Sequence, residues 1–169
     1  VTPPRNSVGN RLSNNRMSNN MTPQKLVESM GLGYSKKNNN NNFNGNHPLN
    51  RDSDTVTTLM IRNIPNKYDQ AMLVEEWNSK GFEKLYDFFY LPIDFRNKCN
   101  VGYAFINFLQ PKDAKHFKEL FTGHKLTRFR SHKILVVCPA RVQGLEANIS
   151  HFKNSAVMAK GIQAEYKPM

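Results

Sequence analysis

The run Gly102-Tyr103-Ala104-Phe105-Ile106-Asn107-Phe108 places aromatic rings at both parities of a single β-rich segment. Successive side chains of a strand point to opposite faces. Ala104, Ile106 and Phe108 therefore form one set and Tyr103 and Phe105 the other. The first set suits a core. The second sets two rings side by side on whatever face that core leaves open. Exposed neighbouring rings call for a cover, and the flat faces of nucleic-acid bases supply one. Stacking contributes about 1–3 kcal/mol per base and tolerates any base, because every base has a π-face. The chain also holds a cover of its own, an apolar stripe beyond residue 140, so one strand alone leaves both readings open.

Further groups extend the candidate surface. In Leu59-Met60-Ile61-Arg62-Asn63-Ile64, alternation sends Leu59 and Ile61 to the core and Met60 and Arg62 to the open face. A thioether packs on a base less well than a ring does. Asn63 and Asn107 carry amides suited to base edges. In the loop Ile93–Asn100, Arg96 and Lys98 are placed to hold phosphates and Phe95 to stack or fill a gap, with Lys67 and Arg130 as further cations. Phosphate contacts of this kind make affinity salt-dependent, although a lone surface lysine is more often merely solvated. Leu135 and Val137 are expected on the open face, alternating with Ile134 and Val136 in the core.

Catalytic readings find little support. The histidines at 47, 116, 124, 132 and 151 are scattered, and Glu75-Glu76 reads as a solvated helix face. There is no glycine-rich phosphate cradle and no nucleophile beside a base. Cys99 and Cys138 make neither a disulfide framework nor, with the histidines, a zinc spacing. No enzyme activity, cofactor or metal is expected.

The elements that must position these residues follow from periodicity. Thr57–Ile64 reads as a strand ended at Pro65-Asn66. Asp69 is placed to cap a helix that carries Met72, Leu73 and Trp77 and stops at Gly81. Leu85–Leu91 and Val101–Leu109 are strands, Pro111–Phe121 a helix with Ala114, Phe117 and Phe121 on one face, and Lys133–Cys138 a fourth strand. The order βαββαβ predicts an α+β fold, a ferredoxin-like four-stranded antiparallel sheet with both helices on one face. Val142, Leu145, Ile149, Phe152 and Ala156 recur at steps of three and four, predicting an amphipathic helix over 141–158. That helix is expected on the sheet edge near the fourth strand, leaving Tyr103 and Phe105 accessible. Residues 159–169 read as a flexible tail.

Residues 1–53 hold 14 asparagines and few apolar residues, too little to offset chain entropy, and read as a disordered leader. Within it Thr22–Gly33 has the signals of a short helix, read as a transient turn rather than a docking motif. The chain opens at Val1 rather than Met, as a piece of a longer protein would. Net charge is +11. Segment 1–53 has 7 basic and 2 acidic residues, 54–140 has 13 and 9, and 141–169 has 4 and 2. A basic balance spread so widely favours polyanions. No charged start followed by an apolar run marks a signal peptide, and no stretch nears the roughly 20 apolar residues of a membrane span. A reducing setting, nucleus or cytoplasm, is the default expectation.

Gly102–Phe108 also matches most of the RNA-recognition octamer, basic-Gly-aromatic-small-aromatic-apolar-any-aromatic. Val101 stands where a basic residue is usual, and Met60 where the partner strand usually has an aromatic. Over Leu91–Phe108 the likeness narrows. This stretch, with Thr58–Tyr68, Cys138–Gly144 and His151–Ser155, resembles the C-terminal RNA-recognition domain (RRM) of the Mei-two-like family of meiosis regulators. The resemblance covers roughly residues 57–158, and Met60 and Val101 fit it. It implies RNA binding, a role in meiosis or cell differentiation, a helical C-terminal extension, and further such domains upstream in full-length relatives.

The expected function is therefore a module for single-stranded RNA. Its RNA-binding set is Tyr103, Phe105, Met60, Arg62, Asn63, Lys67, Arg96, Lys98 and Asn107. The rival is a protein-interaction variant of the same fold, taking a peptide or a second copy, with the C-terminal helix as the surface for a protein partner. Such variants typically carry Arg-any-Phe before the fourth strand, and Arg128-Phe129-Arg130 does not meet that pattern. Neither a membrane nor a small-molecule substrate is expected.

Overall fold

The computed structural model describes residues 54–94, 96–153, 158 and 167–169. The Asn-rich segment 1–53, with its expected Thr22–Gly33 helix, and Phe95 lie outside the described residues. Strand β1 spans Thr58–Arg62, helix α1 Gln70–Trp77 and β2 Tyr86–Tyr90. The short β3 (Ile93–Asp94) and β4 (Cys99–Asn100) form a hairpin that leads to β5 (Tyr103–Phe108). Helix α2 (Pro111–Phe121), β6 (Val136–Pro139) and α3 (Leu145–Lys153) complete the order. The main sheet runs β2-β5-β1-β6 with every pairing antiparallel. The α+β arrangement expected from the pattern is the one observed.

Local chemistry sets the helix ends. The Asp69 carboxylate accepts the Met72 N–H at 2.8 Å and caps α1. The helix widens over Asn78–Phe82, and Gly81, at φ 90°, turns the chain out of it. Pro111 opens α2, and its predicted stripe Ala114, Phe117 and Phe121 is buried. These residues, with Leu59, Ile61, Trp77, Ala104, Ile106 and Phe108, fill the core between helices and sheet.

The other face bears a second apolar cluster. Phe152 of α3 lies on Met60, Phe88, Tyr90 and Phe105, with its ring 4.7 Å from Tyr90 and 5.6 Å from Phe88. The expectation that the C-terminal helix would keep to the sheet edge and spare Phe105 is corrected, since Phe105 is only 2% exposed. The chain's own helix is the cover for one ring of the aromatic pair. The helix also starts later than expected. Gly144 at φ 86° breaks the backbone between Arg141 and Leu145, so the described helix begins at Leu145. Residues 154–157, in the second half of the expected helix, lie outside the described residues.

The parity of the fourth strand is a second correction. Leu135 and Val137 are buried in the helix-side core, whereas Ile134 and Val136 are 52% and 41% exposed. Val137 pairs with core-facing Ile61, and Val136 with outward-facing Arg62. A shift of one residue exchanges the two faces of a strand.

Finally, Met169 and Phe89 exchange both backbone bonds, at 2.8 and 3.0 Å, on the outer edge of β2. The Gln70 amide donates to the Lys167 carbonyl at 3.2 Å. The last three residues, expected to be part of a flexible tail, are thus docked on the sheet.

Candidate nucleic-acid interface

Cross-strand register divides the face of the sheet opposite α1 and α2 into three rows. Phe88, Asn107 and Thr58 form one row, and Tyr90, Phe105, Met60 and Cys138 the next. Tyr103, Arg62 and Val136 form the third. Helix α3 and the segment before it cover the first two rows and leave the third to solvent.

The first row is locked by polar chemistry. The Thr58 hydroxyl donates to Asn107 Oδ1 at 2.7 Å, and Asn107 Nδ2 donates to Asp87 at 2.7 Å. The Gly144 N–H and the Asn148 amide donate to Thr58 Oγ1 at 2.9 and 3.2 Å. Gln143 adds a clamp. Its Oε1 accepts the N–H groups of Thr57 and Thr58 at 3.0 and 2.9 Å, and its Nε2 donates to the carbonyls of Thr58 and Ala140 at 2.8 and 2.7 Å. These bonds fix the path by which the chain crosses onto the sheet. They also occupy Asn107, which is 3% exposed and turned to its own neighbours rather than to a base. The middle row is apolar. Met60 is 4% exposed, and burial pushes the Cys138 thiol and the Tyr90 hydroxyl up from their ordinary pKa values.

The third row is the surface that can meet a base. Tyr103 is half-buried, edge-to-face with Phe105 at 5.8 Å, and Arg62 stands exposed beside it. Val136 and, at the strand entry, Ile134 add exposed apolar surface. Asn63, exposed and left-handed at φ 62°, donates its amide to the Ile134 carbonyl at 3.1 Å. The Lys133 ammonium donates to the Ile64 carbonyl at 3.2 Å and to Asn66 Oδ1 at 2.7 Å. A flat strip of ring, guanidinium and aliphatic surface with positive charge at one end is suited to stacking and phosphate contact. Ile134, Val136 and Lys133 were not among the expected site residues.

Lys67, Arg96 and Lys98 are exposed, and lie beyond the end of this strip. Asp94 shapes the hairpin that carries two of them. It accepts Nδ2 of Asn97 at 2.7 Å and the N–H groups of Arg96 and Asn97 at 2.9 and 3.3 Å, and these bonds hold its carboxyl below the usual range. Buried Asn100 ties the hairpin to the β1–α1 turn. It donates to the Pro65 and Tyr68 carbonyls at 2.9 and 2.8 Å and accepts the Gly102 N–H at 2.8 Å. Of the nine expected residues, the fold therefore groups Tyr103, Arg62 and Asn63 on one strip. It sets Lys67, Arg96 and Lys98 beyond its end, and places Phe105, Met60 and Asn107 under α3. Among the described residues no group of three or more histidine, cysteine or carboxylate side chains is arranged to hold a metal, and no helix is long and apolar enough to cross a membrane.

Comparison with known proteins adds the family. Residues 56–153 match the family model of RNA recognition motif 2. Protein MEI2-like 2 of Oryza sativa subsp. japonica is 52% identical over 113 residues, which are 65% of this chain and 13% of that protein. Protein MEI2-like 3 of Arabidopsis thaliana is 52% identical over 108 residues, 64% of this chain and 14% of that protein. The matched region is thus a small part of these relatives. Among solved structures, the Rna15 RRM with bound RNA (GU) superposes with a TM-score of 0.45 at 14% identity, covering 57% of this chain and 97% of that one.

Proposed function

Because the chain belongs to the RNA recognition motif 2 family, as the C-terminal RNA-recognition domain of Mei-two-like proteins does, we propose that it binds single-stranded RNA on the exposed row Tyr103–Arg62–Val136. One observation carries the choice of row: α3 covers the rest of the sheet, so a base can reach Tyr103 without moving the helix. Tyr103 stacks a base, Arg62 holds a phosphate or lies on a second base, and Val136 and Ile134 support the ribose and base faces. Asn63 stands at the strip's end, with Lys67, Arg96 and Lys98 beyond it for the backbone. Phe105 and Met60 support the row from beneath, and Asn107 holds α3 in place.

For the longer protein, the reading is control of RNA fate in meiosis or differentiation, in the nucleus or cytoplasm, without catalysis. The rival, a protein partner or second copy on the C-terminal helix, has less to grip, since the Phe152 ring is turned inward onto the sheet. Fluorescence anisotropy with a pool of short single-stranded RNAs tests the proposal. Tyr103→Ala should weaken binding about 10-fold, in line with about 1–3 kcal/mol per stacked base, with the fold intact by circular dichroism. Unchanged affinity would remove the row as the site.

A further inference from the structure

Where the exposed row ends, the molecule is hollowed. A cleft of about 600 Å³ opens between the β1–α1 turn, the β3–β4 hairpin and the segment before β6. Lys67 and Lys98 stand at this cleft, both exposed, and neither forms an ion pair among the described residues. Ile93, Cys99 and the half-buried ring of Phe129 give it an apolar side. The Phe129 ring is itself fixed, edge-on to buried Tyr68 at 5.1 Å and 89°.

The polar groups around the cleft are engaged in building it. Asn66 Nδ2 donates to the Asn100 carbonyl at 2.9 Å, and Asn66 Oδ1 takes the Lys133 ammonium. The Asp69 carboxylate is occupied with the helix cap. Two ammonium groups outnumber that one carboxylate, over an apolar, partly aromatic wall. That pairing of charge and surface suits a nucleotide: phosphate on the lysines, base on the wall.

The cleft is also in line with the row. Asn100 of the cleft and Tyr103 of the row are three residues apart in the chain, and the Ile64 N–H donates to the carbonyl of Gly102 between them at 3.0 Å. Gly102, at φ 93°, bends the chain between them, and three residues of backbone span at most roughly 10 Å, a short step for a nucleic-acid strand. Lys133, bonded to both Ile64 and Asn66, sits at the crossing.

We propose that this cleft is a second RNA subsite, which takes a nucleotide of the strand that leaves the exposed row at Tyr103. Its phosphate lies between Lys67 and Lys98, and its base rests against Phe129 and Ile93. The inference rests on the row being an RNA site, and the test separates the two.

The probes are random-sequence RNA pools of about four and about eight nucleotides, the shorter near the lower limit of single-strand site sizes. They are titrated against the full chain, against Lys67→Gln/Lys98→Asn and against Lys112→Gln/Lys115→Gln. Asn suits position 98, where the backbone is left-handed at φ 49°. Lys112 and Lys115 lie exposed on α2, on the opposite side of the sheet, so that pair removes the same charge elsewhere. The longer pool is expected to bind about 10-fold tighter than the shorter. The cleft variant should lose that advantage, its affinity for the longer pool falling to that for the shorter, and the α2 variant should keep it. Cys99 gives a direct readout. Its alkylation, followed by peptide mass mapping, should slow with the longer RNA bound and not with the shorter. If the advantage survives in the cleft variant and Cys99 reacts at an unchanged rate, the subsite is overturned while Tyr103-dependent binding of the short pool still stands. If no RNA binds, or binding ignores Tyr103→Ala, the row is overturned and the subsite with it.

Discussion

Tyr103 and Phe105 are a pair in the sequence and separate in the fold. Both lie on the same face of β5, yet one meets solvent and the other meets α3. Their substitutions should therefore differ in kind. Tyr103→Ala should lower RNA affinity at nearly unchanged stability. Phe105→Ala opens a cavity under Phe152 and should cost about 3–5 kcal/mol of stability in chemical denaturation. Any loss of RNA binding in Phe105→Ala should vanish once the folded fraction is taken into account. Gln143 poses a residue-scale test of another sort. It satisfies three backbone groups of Thr57 and Thr58, some 85 positions away in the chain, and the Ala140 carbonyl close by. Gln143→Ala should cost about 1–3 kcal/mol, the price of leaving buried backbone groups unpaired. Nothing in the sequence marks Gln143, because its partners are chosen by the path of the chain rather than by any local pattern. The same holds for Asn100, whose amide joins a turn to a hairpin.

Helix α3 is the element that decides how much of the sheet remains available. Its apolar stripe was legible from the three-four spacing, and so was its existence. Its docking site was not, since an amphipathic stripe records that a face is buried and not against what. The fourth strand shows a related limit. Ile134–Val137 is apolar at both parities, so period-two alternation has no signal to give, and only pairing with β1 assigns the faces. On α3, burial lowers the pKa of His151 from 6.5, and its Nε2 is buried without a partner among the described residues. A histidine with a depressed folded pKa binds its proton better in the unfolded chain. The helix should thus be fully stabilised above that ordinary value and lose stability as pH falls below it. The melting temperature should fall between pH 7 and 5 by more in the parent chain than in His151→Gln; parallel curves would show that His151 does not contribute.

At the scale of the whole molecule, the basic excess is concentrated by the fold rather than by the sequence. Arg62 and Lys67 belong to one stretch of the chain and Arg96 and Lys98 to another, and the fold sets the two pairs along one end of the sheet and just beyond it. If about three of them hold phosphates, the slope of log affinity against log salt should be about −2. A slope near zero would point to stacking alone. The strand and helix order was readable because each element repeats a simple period, whereas the location of the usable surface depended on which element folded back over which. The pairing of Met169 with Phe89 carries a consequence of its own. The outer rim of a sheet offers a row of unsatisfied backbone groups, a template on which another chain can add itself. On β2 that template is partly taken by the chain's own distal residues. Removing residues 167–169 should therefore leave the monomer folded but less colloidally stable, with self-association on concentration beginning at this rim.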